Sequence, residues 1–256
     1  MPNLWEYRSL VKKLAFTDLK IRYKNSVLGL VWSLLQPLFM FLVLYLVFTS
    51  VFKNNSIENY PLFLLMGIIS WGFFDKATGF SLNSIVGKPS LIKKIYFPRE
   101  VLVISSCLTA LMMSCIELVV FGAFMLAFGV LPAITILLLP VVLFIEFLFT
   151  LGISLAIASL NVRYRDIQWI WGVVMQAGFF ATPIMYSMSL FEGSTLAGIL
   201  GMNPIGLIIE MMRDVTIYRR VPALADGAYI IIATLALLAI GYAIFRYMEP
   251  VFAEEV

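Results

Sequence analysis

Long uncharged runs alternate with short charged ones along this chain, and the alternation predicts a helical bundle crossing a membrane. Residues 27–52 contain no charged side chain; Lys20, Arg22 and Lys24 precede them and Lys53 closes the run. A helix over that stretch, at ~1.5 Å per residue, is long enough for a hydrocarbon core of ~30 Å. Similar runs predict spans at about 61–85, 101–128, 133–160, 167–187 and 228–248. Pro37 and Pro183 predict a kink or loosening in the first and fifth spans. The turn at 129–132 between the third and fourth spans is tight and uncharged. The pattern breaks between 190 and 226, where Gly193, Gly198, Gly201, Pro204 and Pro222 punctuate a stretch of intermediate hydrophobicity. Two short helices, about 194–201 and 204–218, are expected there. Neither reaches ~20 apolar residues, so they predict re-entrant or interfacial pieces.

Polar positions refine this picture. Before the first span, Leu4, Tyr7, Val11 and Leu14 recur at helical spacing with Arg8, Lys12 and Lys13 on other faces. That reads as an amphipathic helix on the membrane surface, with Thr17 as the N-cap of a second short piece. The second span is apolar in its first half, then carries Asp75, Lys76, Thr78, Ser81, Asn83 and Ser84. Asp75, Thr78 and Ser81 follow an i, i+3 row, and a polar row at that depth must face protein or a water-filled path. The loop at 87–100 holds four basic residues between Pro89 and Pro98. Its middle predicts a helical turn or two over 90–96, capped by Ser90.

Charge and composition fix class and orientation. The 256 residues are 62% hydrophobic and 13% charged; a soluble domain is nearer ~25% charged. An all-α integral membrane protein of six spans follows. Of the 18 basic residues, 13 fall in segments that this topology places on one side. Lys53, Arg213, Arg219 and Arg220 fall on the other, with Lys76 inside a span. By the positive-inside rule both termini are cytoplasmic. A net charge of +3 is too small to predict a nucleic-acid partner. There is no histidine, and no Gly-x-x-x-x-Gly-Lys-Ser/Thr motif, paired thiols or nucleophile elbow. The chain therefore reads as a conduit or binding protein with no metal or cofactor of its own. Cys107 and Cys115, eight apart in one apolar run, are too distant for a disulfide along a helix and read as small core residues. The first apolar run is too long for a cleavable leader, and the sequon at 54–56 is too short a pattern to weigh.

Two sets of residues are candidates for chemistry. Asp75, Lys76, Glu117 and Glu146 fall at comparable depth. They predict either a proton relay or, as the better reading, ion pairs and hydrogen bonds within the bundle. Aromatic rings beside amides and hydroxyls form the second set. Such faces suit sugars, whose C–H faces stack while their hydroxyls hydrogen-bond. The expected channel residues are Trp32, Gln36 and Phe39 on the first span, Asp75, Thr78 and Ser81 on the second, and Gln176, Phe179 and Tyr186 on the fifth, where Pro183 shares the face.

The stretches DLKIRYKNSVLGLVWSLLQPL (18–38), FPREVL (97–102), LNVRYRDI (160–167) and TPIMYS (182–187) together resemble the membrane subunits of bacterial polysaccharide exporters. These are type-2 ABC transporter permeases, as in O-antigen (Wzm-type), teichoic-acid and capsule export. The resemblance implies one transmembrane domain over 1–256, with an interface helix in 1–26, a six-span bundle in 27–248 and a cytoplasmic tail in 249–256. The 190–226 segment becomes a re-entrant outer gate. It implies a homodimer bound to two copies of a separate ATPase subunit that carries Mg-ATP. Its cargo is a polysaccharide on undecaprenyl diphosphate, moved from the cytoplasm across the inner membrane. Ser90, Leu91, Ile92, Lys93, Lys94 and Tyr96 would dock on the ATPase. Lys20, Arg22, Lys24, Arg163 and Arg165 would form a rim for the lipid diphosphate, positions that equally serve topology and anionic lipid. The competing expectations are an exporter of a small lipid or drug, and a proton-coupled carrier using Glu117 and Glu146.

Overall fold

The computed structural model describes residues 5–24, 26, 28–29, 31–51, 57–94, 97–188, 198 and 200–255, and it is all-helical over them. The elements are α1 (Arg8–Arg22), α2 (Val31–Leu46, extended by a π turn at Val47–Val51), α3 (Tyr60–Leu82), α4 (Pro89–Lys94), α5 (Glu100–Ala127), α6 (Leu139–Arg163), α7 (Ile167–Ala181), α8 (Pro204–Arg213), α9 (Leu224–Met248) and α10 (Phe252–Glu255). Among the described residues four helical stretches are long and apolar enough to cross a membrane: Val31–Ser50, Glu100–Ala127, Ile134–Arg163 and Leu224–Val251. The sequon at 54–56 and most of the short helix expected at 194–201 lie outside the described residues.

α3 is the axis of the bundle. Of its 23 residues 17 are buried, because α2, α5, α6, α7 and α8 all pack on it. It starts after Asn59, which takes a left-handed conformation (φ 52°) that asparagine tolerates better than most residues, and Pro61 follows in the first turn. Its N-terminal half joins one apolar core with α8 and the ends of α5, α6 and α7. Its C-terminal half joins a second core with the start of α5, the end of α6 and Phe245, Met248 and Phe252 of the last helices.

Hydrogen bonds and ion pairs gather the connecting segments at two ends. At the charged end, Lys88 Nζ bonds both Asp18 oxygens at 3.0 and 2.7 Å, tying the α3–α4 loop to α1. Arg99 Nη1 donates to the Glu249 carbonyl at 2.5 Å, and Arg246 lies 3.6 Å from Glu100 and 2.6 Å from Glu249. At the opposite end, Tyr60 donates to the Met185 carbonyl at 3.0 Å, Thr135 to that of Val215 at 2.9 Å and Tyr229 to that of Met202 at 2.9 Å. There α5 ends on Gly129 (φ 74°), with Gly129 N–H bonded to Leu126 O and Val130 N–H to Met125 O. These are the two reversed bonds of a left-handed helix stop, which needs glycine.

Arg213 fastens that opposite end. It is fully buried, stacks 3.3 Å above the Phe63 ring, and donates to the carbonyls of Phe63 (3.2 Å), Pro183 (2.9 Å) and Ile184 (2.8 Å) and to Glu210 Oε1 (2.6 Å). One guanidinium thus joins α3, the segment after α7, and α8. Asn203 adds to the joint: it caps α8 by accepting from Ile205 N–H and donates to Thr182 Oγ1 at 2.9 Å.

Several expectations change. α1 is continuous through Thr17, so that residue caps nothing. α4 begins at Pro89, which places Ser90 inside its first turn rather than at its cap. The fifth helix ends at Ala181, short of the predicted 187, because Thr182 precedes Pro183 and is driven to extended backbone (ψ 140°). Cys107 is buried as expected, but Cys115 is exposed.

α6 and α9 pack closely, with Gly152 against Gly241 and the Leu238 backbone. Small residues there let two backbones touch, which is how helices choose each other in lipid. A Cβ at Gly152 would lie 2.7 Å from Leu238 N. Gly152→Ala is expected to cost about 1–3 kcal/mol by overpacking, whereas Gly122→Ala, which meets open space, is neutral or stabilising. Thermal unfolding in detergent measures both. Arg213→Met strands Glu210 and three carbonyls, with an expected loss of about 3–5 kcal/mol; Arg213→Lys, which keeps the charge but not the planar fork, falls between.

Candidate functional site

A cavity of about 760 Å³ lies between α2 and α7, with α3 and α5 behind it. Each helix contributes a stripe at helical spacing. α3 supplies Ile68, Trp71, Gly72, Asp75 and Lys76; α7 supplies Gly172, Met175, Gln176, Phe179 and Phe180; α2 supplies Ser33, Gln36, Pro37 and Met40, with Phe39 and Val43 beside them; α5 supplies Met113 and Glu117. The first two sets follow i, i+3, i+4, i+7, i+8, the signature of one helix face.

The lining is mostly apolar and aromatic. Trp71 packs edge-on against Phe74 and Phe179, with centroids 5.6 and 6.2 Å away, and Phe180 meets Phe179 at 5.4 Å. Charge enters on α3 and α5. Lys76 pairs with Glu117. Glu117 is 2% exposed, and its Oε2 is buried without a hydrogen-bond partner. Asp75 is exposed. At the α1 side, Tyr23 bonds Ser33 and reaches Met113 Sδ at 4.0 Å. Burial raises the Tyr23 phenol above its ordinary pKa, with the Ser33 hydrogen bond working against that shift.

Of the nine expected channel residues, five line the cavity: Gln36, Phe39, Asp75, Gln176 and Phe179. Trp32 is half exposed on α2, outside the lining. Tyr186 lies beyond the end of α7 and donates to the Phe180 carbonyl at 3.0 Å. Thr78 and Ser81 point into packing. Thr78 donates to Phe74 O at 2.8 Å and accepts from Trp171 Nε1 at 3.0 Å. Ser81 donates to Ala77 O at 2.7 Å and lies 3.4 Å from Cys107 Sγ. Helix arithmetic explains the difference: each i+3 step turns about 60° short of a full circle, so Ser81 sits about 120° from Asp75. Lys76, four residues after Gly72, is the neighbour that shares the cavity face.

The remaining mid-depth carboxylate, Glu146, is buried on α6 and accepts from Ser70 Oγ at 2.5 Å. The pairing expected among Asp75, Lys76, Glu117 and Glu146 is therefore present for Lys76 with Glu117, and as a hydrogen bond for Glu146.

The basic residues occupy two places. Lys20, Arg22 and Lys24 sit at the end of α1 or just after it, with Arg22 3.3 Å above the Phe80 ring. Arg163 and Arg165 sit in and after the last turn of α6, and Arg165 Nη2 reaches the Glu255 carbonyl at 3.5 Å. On α4, Ser90 and Lys93 are exposed, Leu91 is half buried and Ile92 is buried in the core with Phe97. The Lys94 side chain and Tyr96 lie outside the described residues. Trp71, Lys76, Met113, Glu117, Met175 and Phe180 are lining residues that the sequence expectation omitted. The helical stripes through Gln176 and Asp75 were the available signal for most of them.

Comparison with known proteins follows the same lines. The chain is 31% identical over 255 residues to the O-antigen export system permease protein RfbA of Myxococcus xanthus, covering 99% of this chain and 98% of that one. It is 30% identical to an O-antigen export system permease protein RfbA of Klebsiella pneumoniae, over 98% and 96% of the two chains. It is 20% identical to the polysialic acid transport protein KpsM of Escherichia coli, over 93% of each. The family model described as "ABC-2 type transporter" matches residues 10–217, from within α1 through α8. With that match over most of its length, the chain belongs to the ABC-2 type transporter family.

Proposed function

We propose that this chain is the membrane subunit of an ATP-driven exporter that moves a lipid-linked polysaccharide across the bacterial inner membrane. The observation that carries the reading is the cavity, in which Trp71, Phe179 and Phe180 stand beside Gln36 and Gln176. Rings for sugar faces and amides for sugar hydroxyls are what a glycan path requires. Relatives named as O-antigen permeases at 30–31% identity over nearly the full chain support the same cargo.

The way the ends are assembled supports a six-span topology. α1, the α3–α4 loop, the start of α7 and the tail all gather at the charged end, which basic residues assign to the cytoplasm. α3 and α7 then cross along with the four long apolar stretches, making six spans. α3 needs no lipid-facing surface because its neighbours enclose it. α8, fastened by Arg213, belongs to an outer gate. One protomer supplies only part of a passage, and a twofold partner facing α2 and α7 would close it. ATP hydrolysis belongs to a separate ATPase seated on α4, with Ser90 and Lys93 presented to it. The basic residues of α1 and of 163–165 meet the lipid diphosphate by charge-assisted hydrogen bonds.

Co-expression with an ABC ATPase encoded beside it, followed by reconstitution in lipid, tests the reading. Co-purification and ATP turnover stimulated by undecaprenyl-linked glycan are expected. No bound ATPase and no turnover would sink the proposal, and stimulation by a small lipid but not by glycan would move the cargo to that class. The ion pair in the cavity gives a second expectation. Lys76→Met alone leaves the Glu117 carboxylate buried and unpaired, at about 3–5 kcal/mol of stability, while Lys76→Met with Glu117→Leu recovers most of it. Unfolding midpoints in detergent, read as a double-mutant cycle, give the coupling.

A further inference from the structure

We infer that Asp75 makes the cavity a charge filter, one that admits uncharged glycans and excludes polymers carrying a carboxylate in each repeat. The inference rests on the exporter reading above and adds the substrate class. Among the described residues three charged side chains line the cavity: Asp75, Lys76 and Glu117. The single cation among them is held by Glu117, and Glu117 has its second oxygen buried without a hydrogen-bond partner. Lys76 is thus held on the cavity wall by a carboxylate that is itself under-satisfied. Asp75 is exposed, and no ion pair to it is found among the described residues.

The other polar liners leave this charge in place. Ser33, Gln36 and Gln176 are neutral, and the basic residues Lys20, Arg22 and Lys24 lie outside the lining. The walls are otherwise apolar, and Lys76 beside Asp75, already held by Glu117, offsets only part of the field of that carboxylate. A passing sugar hydroxyl donates to Asp75 in a charge-assisted hydrogen bond. A passing carboxylate meets like charge, and among the described lining residues the one cation is already held by Glu117. The same residue therefore attracts a neutral polyol and repels an acidic one, and a specificity difference needs both parts. At a separation of ~7 Å in such a site, the repulsion corresponds to at least ~10-fold discrimination.

The experiment places the permease and its ATPase in a host lacking its own exporter. The host makes undecaprenyl-linked glycans of one backbone in two forms, with either a hexose or the matching hexuronic acid in each repeat. Surface glycan is measured relative to lipid-linked precursor. The wild type is expected to favour the neutral form by ~10-fold or more. Asp75→Asn should shrink that ratio about tenfold, and Asp75→Lys should shrink or invert it. Gln176→Glu, which adds a second carboxylate to the cavity wall, should widen it. Equal export of both forms by the wild type, or a ratio unmoved by Asp75→Asn and Asp75→Lys while neutral export continues, overturns the filter. Absence of export of either form, with the ATPase bound and both precursors present, instead overturns the exporter reading.

Discussion

A polar group carried into this bundle finds no partner in lipid, and the bonds by which protein answers such groups decide how the helices are arranged. Apolar packing alone does not select neighbours in a membrane, where lipid tails are as apolar as leucine. Along α3 the selection is made by polar contacts instead. Ser70 reaches Glu146 on α6, Lys76 reaches Glu117 on α5, Thr78 takes the Trp171 indole of α7, and the Leu82 carbonyl accepts from Asn161 of α6 at 2.9 Å. Each of these bonds names one neighbour and one rotation of α3. A one-residue turn of that helix would swing each group about 100° from its partner. The burial of most of α3 follows from satisfying them together.

Both ends of the bundle obey the same rule with larger groups. Arg213 brings a full charge into the opposite end, where three carbonyls, Glu210 and the Phe63 face surround it. At the charged end, α4 hangs between two anchors. Lys88 with Asp18 fixes it to α1; Arg99 with the Glu249 carbonyl, and Glu100 with Arg246, fix it to the end of α9. Phe252, fully buried against Phe245, seats the tail beneath the Arg99 guanidinium. A short helix of six residues has little stability of its own. Its position here is set by those flanking ionic contacts and by Ile92 in the core.

The sequence disclosed what depends on local pattern and concealed what depends on contact across the chain. Apolar runs located the long helices, and Pro183 signalled a disturbance in the fifth, although the helix stops there outright. Gly129 was legible as a turn because only local bonds close it. The stripes on α2 and α7 pointed to Gln36, Phe39, Gln176 and Phe179. By contrast, common depth grouped Lys76 with Glu117, 41 residues away, but did not say which of the four charged residues would pair. Thr78 and Ser81 were misplaced because a row at i, i+3 drifts around the helix. Arg213 counted as an ordinary outer charge on sequence. Its burial depends on backbone carbonyls of α3 and of the 183–184 segment, which carry no sequence signal.

The two walls of the cavity are built differently from its back. On α2 only Ser33 and Phe41 are buried, and on α7 only Met175. Large apolar side chains such as Phe39, Val43, Trp169, Val173 and Phe180 remain exposed there. α3, α5, α6 and α9, by contrast, are joined by dense packing and by the buried polar bonds described above. Few buried contacts mean a low free energy for local displacement, so α2 and α7 can shift while the back holds its shape. A passage that must widen for a polymer needs that division, with the charges and Trp71 on the packed side and Phe39, Phe179 and Phe180 on the looser one. Asp75, Lys76 and Glu117 all stand on the rigid side. The electrostatic character of the proposed path therefore stays constant as its width changes.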